Sequence, residues 1–257
     1  MRESRVLNKL REGEVVSCVL VHLNPNATDI VSMSGFDCVW IDNEHQGQEW
    51  TSLQSHIWAA KNYDVDVMIR VPRGSYSDYI KPLEMDAAGI MVPHIMGVED
   101  ARKVVQMTRF HPVGRRPIDG GNADGKYAQM NYPDYIKQAN EKRFVVVQIE
   151  DPEPLDELDE IAALDGIDML FFGPGDFSHG IGAPGQWDHP KLLEARKRVA
   201  EAAVKHGKFA GIPSSIENID EMVEMGYRFI AVGADVVGLG EYSNKLIKGF
   251  KEKIKEQ

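Results

Sequence analysis

The chain has only two cysteines in 257 residues, Cys18 and Cys38, and they are not spaced as a C-x-x-C pair. That spacing excludes a disulfide framework and a zinc knuckle, and it reads as two reduced core thiols in a cytoplasmic protein. Aromatic residues are sparse at 8%. No apolar run approaches the ~20 residues that a membrane-spanning helix needs. The opening stretch Met1 to Leu10 carries charges along its length and lacks the apolar centre of a secretory leader. Basic side chains are in deficit, 29 Lys and Arg against 40 Asp and Glu, for a net charge of −11. Such a field repels phosphate backbones and anionic lipid. Outside Lys245 to Lys255 no basic cluster is dense enough to offset it, so neither nucleic acid nor a membrane is expected as a partner.

What the chain has is core: 43% of its residues are apolar, enough for a large globular interior. Short apolar runs recur at Val15–Val21, Phe36–Asp42, Asp66–Val71, Gly89–Pro93, Phe144–Ile149, Met169–Gly173, Lys208–Pro213 and Arg228–Gly233. Each reads as a strand buried on both faces. Between them lie stripes at helical spacing: Trp50, Leu53, Ile57 and Ala60; Val98, Ala101, Val104, Val105 and Thr108; Leu155, Leu158, Ile161 and Ala162; Ile216, Ile219, Met222 and Val223. Glycines that can take the left-handed conformation punctuate the units at Gly35, Gly166, Gly207 and Gly226. Eight units of about 32 residues match the length of a βα step, so a single (β/α)8 TIM barrel spanning residues 1–257 is expected. The alternative, an open doubly wound sheet, wants a glycine-rich turn after its first strand. Here Val21 is followed by His22-Leu23-Asn24-Pro25-Asn26. One connection is long, Thr108 to Arg143, and its Gly, Pro and Asp content reads as a lid or substrate loop, with an unstructured insertion as the alternative.

Active sites of this barrel class lie at the carboxyl ends of the strands, and polar residues gather there. The second strand runs into Asp42-Asn43-Glu44-His45, the third ends at Arg70, the fifth carries Gln148 and Glu150, and the sixth leads into Gly173-Pro174-Gly175-Asp176. Gln148 and Glu150, two apart, share one face of their strand and point into the mouth. Glu150 and Asp176 form a carboxylate pair, which suits a hard divalent ion that keeps several waters, or else a protonated or arginine-paired structural acid. Arg70 offers fixed donors to a carboxylate or enolate oxygen, or a salt bridge to Glu150 or Asp42. His45, following two acids in a turn, is placed for proton transfer near neutrality. The Gly173–Asp176 turn has backbone N–H groups open to an anion. Of the remaining histidines, His22 and His94 fall at strand ends and read as cavity lining; His56, His111, His179, His189 and His206 read as surface.

Five ordered segments, Phe36-Asp37-x-Val39-Trp40-Ile41-Asp42-x-Glu44-His45, Ile69-Arg70-Val71-Pro72, Gly89-Ile90-Met91-Val92-Pro93, Val147-Gln148-Ile149-Glu150 and Gly173-Pro174-x-Asp176-x-Ser178, resemble the HpcH/HpaI family of class II pyruvate aldolases. The resemblance extends to Val232-Gly233-Ala234-Asp235, before the last helix. It implies a metal-dependent barrel in which Glu150 and Asp176 hold Mg2+, Mn2+ or Co2+ and the ion chelates pyruvate. Arg70 would stabilise the enolate oxygen, and Gln148 would bond near metal and substrate. Pro174, Gly175, Asp176 and the Pro213 region would hold the pyruvate carboxylate, and His45, supported by Asp42, would move protons through water. Glu84 stands where relatives often carry Asp, a group reaching a neighbouring subunit's site; the longer side chain and Arg116-Pro117-Ile118-Asp119 depart from the family pattern. The resemblance also implies a hexamer, a dimer of trimers, with the last helix exchanged between subunits and Tyr242, Leu246, Ile247, Phe250 and Ile254 as its apolar stripe.

The expected activity is reversible cleavage of a 4-hydroxy-2-oxo acid to pyruvate and an aldehyde. No lysine stands at a strand end to form a Schiff base, and a Lewis-acidic ion with a fixed guanidinium serves the same electron demand. A related CoA-thioester lyase or oxaloacetate decarboxylase is the alternative, although the thioester reading wants a basic groove that Arg115-Arg116 alone does not make. A barrel used purely as a binding scaffold is the non-enzymatic alternative.

Overall fold

The computed structural model describes residues 1–255. Eight parallel strands, β1 (Val16–Val21), β2 (Cys38–Asp42), β3 (Asp66–Arg70), β4 (Gly89–Val92), β5 (Phe144–Ile149), β6 (Met169–Phe172), β7 (Phe209–Ser214) and β8 (Phe229–Ala234), close into a barrel in chain order. The last seam pairs Val16 with Phe229 and Ser17 with Ile230. All eight runs read from the sequence are strands, each with ends within two residues of those expected.

The helices are α1 (Arg5–Arg11), α2 (Pro25–Met33), α3 (Trp50–Lys61), α4 (Tyr76–Glu84), α5 (Val98–Thr108), α6 (Tyr132–Lys142), α7 (Leu158–Ala162), α8 (Pro174–Gly180), α9 (Pro190–Lys205), α10 (Ile219–Met225) and α11 (Asp235–Lys255). Two expected helices are shorter than their apolar stripes, because 3-10 turns at Glu153–Glu157 and Ile216–Asn218 lead into α7 and α10. The four punctuating glycines all have positive φ. Gly226, at +112°, ends α10 in the left-handed region and turns the chain towards β8.

Strand alternation divides the core in two. Outward residues such as Val39, Ile41, Val67, Ile69, Val145 and Val147 pack under the helices. Inward residues Cys18, Cys38, Trp40, Met68, Val146, Met169, Phe171 and Phe229 fill the lumen together with Val6, Leu7 and Leu10 of α1. Helix α1 therefore stoppers the amino end. Asp66 holds it there by accepting from Ser4 Oγ at 2.6 Å and from Val6 N at 3.0 Å.

The long connection follows a helix, so it starts at the amino end and not at the catalytic rim. The reading as a lid or substrate loop therefore does not hold for this chain's own rim, and the unstructured alternative is wrong. Arg116 donates to Asp124 Oδ2 at 2.9 Å and to the Tyr135 hydroxyl at 3.2 Å, and that hydroxyl donates to Asp124 at 2.8 Å; all three residues are buried. Lys126, Tyr127 and Ala128 form a left-handed turn, and Asp124 N donates to Glu84 O, tying the loop to the end of α4.

Helix α11 behaves unlike its neighbours. It buries no residue against its own chain, and Phe250 is 62% exposed.

Candidate active site

The two-residue strand period that sends Trp40 and Met68 into the lumen also sends Asp42 and Arg70 there, one layer higher, at the mouth. Asp42 and Arg70 are register partners across β2 and β3. Arg70 Nε donates to Asp42 Oδ1 at 3.0 Å and its terminal nitrogen to Oδ2 at 2.8 Å. Glu44 Oε2 lies 3.2 Å from Arg70 Nε, and the guanidinium carbon sits 5.0 Å from the Trp40 ring centroid. Burial works against the Arg70 charge, but its bond to Asp42 and the nearby Asp42, Glu44 and Glu150 charges raise its pKa further. Burial likewise favours protonated Asp42, and Arg70 outweighs it, holding the Asp42 pKa low.

Across the mouth, Glu150 is 1% exposed. Its Oε1 accepts from His94 N at 2.9 Å, and its Oε2 accepts from Gln148 Nε2. Burial pushes its pKa up to about 7, against the His94 N–H, with the charge of nearby Asp176 pushing the same way. Asp176 stands in the first turn of α8. The backbone makes room at Gly173, where a Cβ would lie 2.6 Å from Glu150 Oε2 and 2.9 Å from Gln148 Nε2.

A family model described as HpcH/HpaI aldolase/citrate lyase matches residues 18–239, from β1 into the base of α11. The chain belongs to the HpcH/HpaI family. It is 30% identical over 238 residues to a 5-keto-4-deoxy-D-glucarate aldolase of Enterobacter sp. (strain 638), covering 92% of each chain. Among solved structures it is similar to an HpcH/HpaI aldolase from Desulfitobacterium hafniense DCB-2, with 28% identity, TM-score 0.90 and 96% of each chain covered. It is also similar to the citrate synthase SbnG, with 26% identity, TM-score 0.88 and 98% of each chain covered. The chain is an enzyme, an aldehyde-lyase by its family and its aldolase relatives.

Asp42, Arg70, Gln148, Glu150 and Asp176 thus meet on one HpcH/HpaI rim, and Pro174, Gly175 and Pro213 flank it on β6–α8 and β7. Pro174 and Pro213 also border a cavity of about 400 Å³ that runs outward to Trp187, Arg196 and Met222. His45 is on the rim but exposed, and its nearest carboxylate is Glu44, with Oε2 3.6 Å from Nε2. The expected support from Asp42 takes another form: both Asp42 oxygens serve Arg70, and Asp42 Oδ1 also accepts from Glu44 N. Glu84 ends α4 at the far end of the barrel, where burial raises its pKa against the pull of Arg116. It cannot reach its own chain's rim.

His56 is not a surface residue. It is fully buried, its Nδ1 lies 2.6 Å from Thr28 Oγ1, and burial lowers its pKa to about 4. Two rim residues were not among the expected functional set. Glu44 was visible in the Asp-x-Glu-His segment. His94 was visible only as a strand-end histidine, because its φ of +49° and its N–H to Glu150 leave no trace in the sequence.

These donors suit a hard divalent ion. Among the described residues no group of three or more His, Cys, Asp and Glu could hold a metal by itself. Glu150 and Asp176 are the two carboxylates that would hold such an ion, a small protein ligand set of the kind Mg2+ and similar ions accept. Gln148 Oε1 is buried without a partner in the space beside Glu150, an acceptor in place for a coordinated water.

Proposed function

We propose that this chain is a class II pyruvate aldolase, cleaving a 4-hydroxy-2-oxo acid reversibly to pyruvate and an aldehyde. The observation that carries this reading is Glu150, buried beside Asp176 and across the mouth from Arg70. The relatives' name supports it: counted from its keto end, 5-keto-4-deoxy-D-glucarate is a 4-hydroxy-2-oxo acid.

In cleavage a base removes the proton of the 4-hydroxyl, that carbon becomes the aldehyde, and the electrons of the C3–C4 bond pass into an enolate that is protonated at C3 to give pyruvate. Arg70, already charged and oriented by Asp42, stabilises the negative oxygen as it forms. His45 exchanges the protons through water. Pro174, Gly175 and the backbone before Asp176 bind the pyruvate carboxylate, with Pro213 closing that side. Glu150 and Asp176 would hold Mg2+, Mn2+ or Co2+, which supplies Lewis-acid withdrawal at the keto oxygen, and Gln148 orients Glu150.

The assembly belongs to the same reading: a hexamer, a dimer of trimers with α11 exchanged, in which Glu84 serves a neighbour's site. The unburied apolar stripe of α11 and the exposed Ile30 and Met33 on α2 support it. The partners are small molecules. No helix among the described residues is long and apolar enough to cross a membrane, and a charge of −11 disfavours nucleic acid. Two free, buried cysteines facing each other across β1 and β2 support a reducing cytoplasm.

The test is pyruvate release, coupled to lactate dehydrogenase, from 5-keto-4-deoxy-D-glucarate, other 4-hydroxy-2-oxo acids and oxaloacetate, with Mg2+, Mn2+ or Co2+ and then with EDTA. Metal-dependent release from a hydroxy-oxo acid is expected. Release from oxaloacetate alone would make the chain a decarboxylase, and release that survives EDTA would remove the metal.

A further inference from the structure

We propose that His94 is a positioning residue for the Glu150 carboxylate: its side chain locks a left-handed backbone whose N–H fixes one oxygen of that carboxylate. The inference rests on the reading of Glu150 as a cation ligand.

Six described non-glycine residues have positive φ: Asp64, Asp86, His94, Lys126, Tyr127 and Ala128. Asp64 and Asp86 follow helices at the amino end, and the last three belong to the long loop. Only His94, among them, follows a strand and stands on the catalytic rim. L-residues resist this conformation, and one that persists at a functional rim is held there by its surroundings.

The holding contacts are specific. His94 Nδ1 lies 2.9 Å from Asp151 Oδ2, and its carbonyl accepts from an Arg73 terminal nitrogen at 2.7 Å. Arg73 is itself paired with Asp100. On the other side of the ring, Nε2 lies 3.7 Å from Glu44 Oε1. So fixed, the segment presents two successive N–H groups to β5: His94 N to Glu150 Oε1 at 2.9 Å, and Ile95 N to the Gln148 carbonyl at 3.3 Å. Gln148 Nε2 takes the other carboxylate oxygen. Each Glu150 oxygen is therefore held by a donor, and the charge of Asp176 is felt at the same carboxylate. Partners of this kind, one step removed from the ion, set ligand orientation, and their loss costs roughly 10–100-fold in metal affinity.

The lock predicts a difference between two changes at Asp151 that remove the same charge. Asp151→Asn keeps an oxygen that accepts from Nδ1–H, whereas Asp151→Ala leaves the imidazole unanchored. Mn2+ affinity, read from the electron paramagnetic resonance signal of the free ion, should fall about tenfold or more in Asp151→Ala and His94→Ala. Asp151→Asn should keep most of it, with all variants matching the wild type in circular dichroism. Equal losses in Asp151→Asn and Asp151→Ala would overturn the lock in favour of plain charge, and unchanged affinity in Asp151→Ala would overturn it outright. Glu150→Gln separates the two readings. If it binds Mn2+ like the wild type, Glu150 is not a ligand; if it loses binding while Asp151→Ala does not, only the role of His94 falls.

Discussion

Asp42 and Arg70 face each other twice, once as backbone register partners and again through two side-chain hydrogen bonds of 3.0 and 2.8 Å. The sheet itself aims the guanidinium, so its orientation does not depend on a loop.

Replacing Arg70 with Lys keeps a charge but loses the fork that Asp42 aligns. Steady-state kinetics should show kcat lower by about 10²–10³-fold, as when one donor to a developing oxyanion is lost, with KM changed less. A raised KM at normal kcat would make Arg70 a binding residue only.

Gly173→Ala isolates the space beside Glu150. The backbone there, at φ −103°, is open to alanine, but the new methyl would lie 2.6 Å from Glu150 Oε2, 2.7 Å from Glu150 Cβ and 2.9 Å from Gln148 Nε2. Turnover and Mn2+ affinity should both fall, and the melting temperature should drop by the few degrees that about 1–3 kcal/mol of overpacking costs. Retention of both would mean that the carboxylate is free to swing aside.

His56 makes stability depend on pH. Its pKa is about 4 in the folded chain and near 6.5 when unfolded, so the unfolded state takes up the proton first on acidification. The stabilisation is complete above pH ~6.5, drains away towards pH ~4, and amounts to at most about 3 kcal/mol. Urea midpoints across that range should decline less steeply in His56→Gln; parallel curves would acquit His56.

Assembly through α11 can be read by sedimentation equilibrium. Leu246→Asp with Phe250→Asp places charge on a stripe that is already exposed in the single chain. The fold should therefore survive and the mass should drop; an unchanged mass would put the contact elsewhere.

Arg116→Leu would leave the buried Asp124 without its ion-pair partner. Thermal or urea unfolding should register a loss of about 3–5 kcal/mol, and a neutral result would mean the loop rearranges around the change.

The barrel was legible because strands buried on both faces, such as Met169–Phe172, read as unbroken apolar runs, and the rim because strand parity assigns Arg70, Gln148 and Glu150 to the lumen. Less legible was whatever depends on which end of the barrel a segment reaches. The connection from Thr108 to Arg143 has the composition of a lid, but it follows a helix and so belongs to the opposite end. His56 was misread because a buried histidine satisfied by Thr28 looks like any other on a helix. His94 escaped because its contribution is a backbone angle, which residue identity does not report.

The stopper formed by Val6, Leu7 and Leu10 gives the lumen a single doorway. Everything that reacts must pass through that doorway, and the two products of a cleavage cannot leave by separate routes. On the proposed reading, pyruvate held by Arg70 and the acid pair would sit deeper in the mouth than the aldehyde. That placement would set the order of traffic: the aldehyde would depart first and, in the synthetic direction, arrive last.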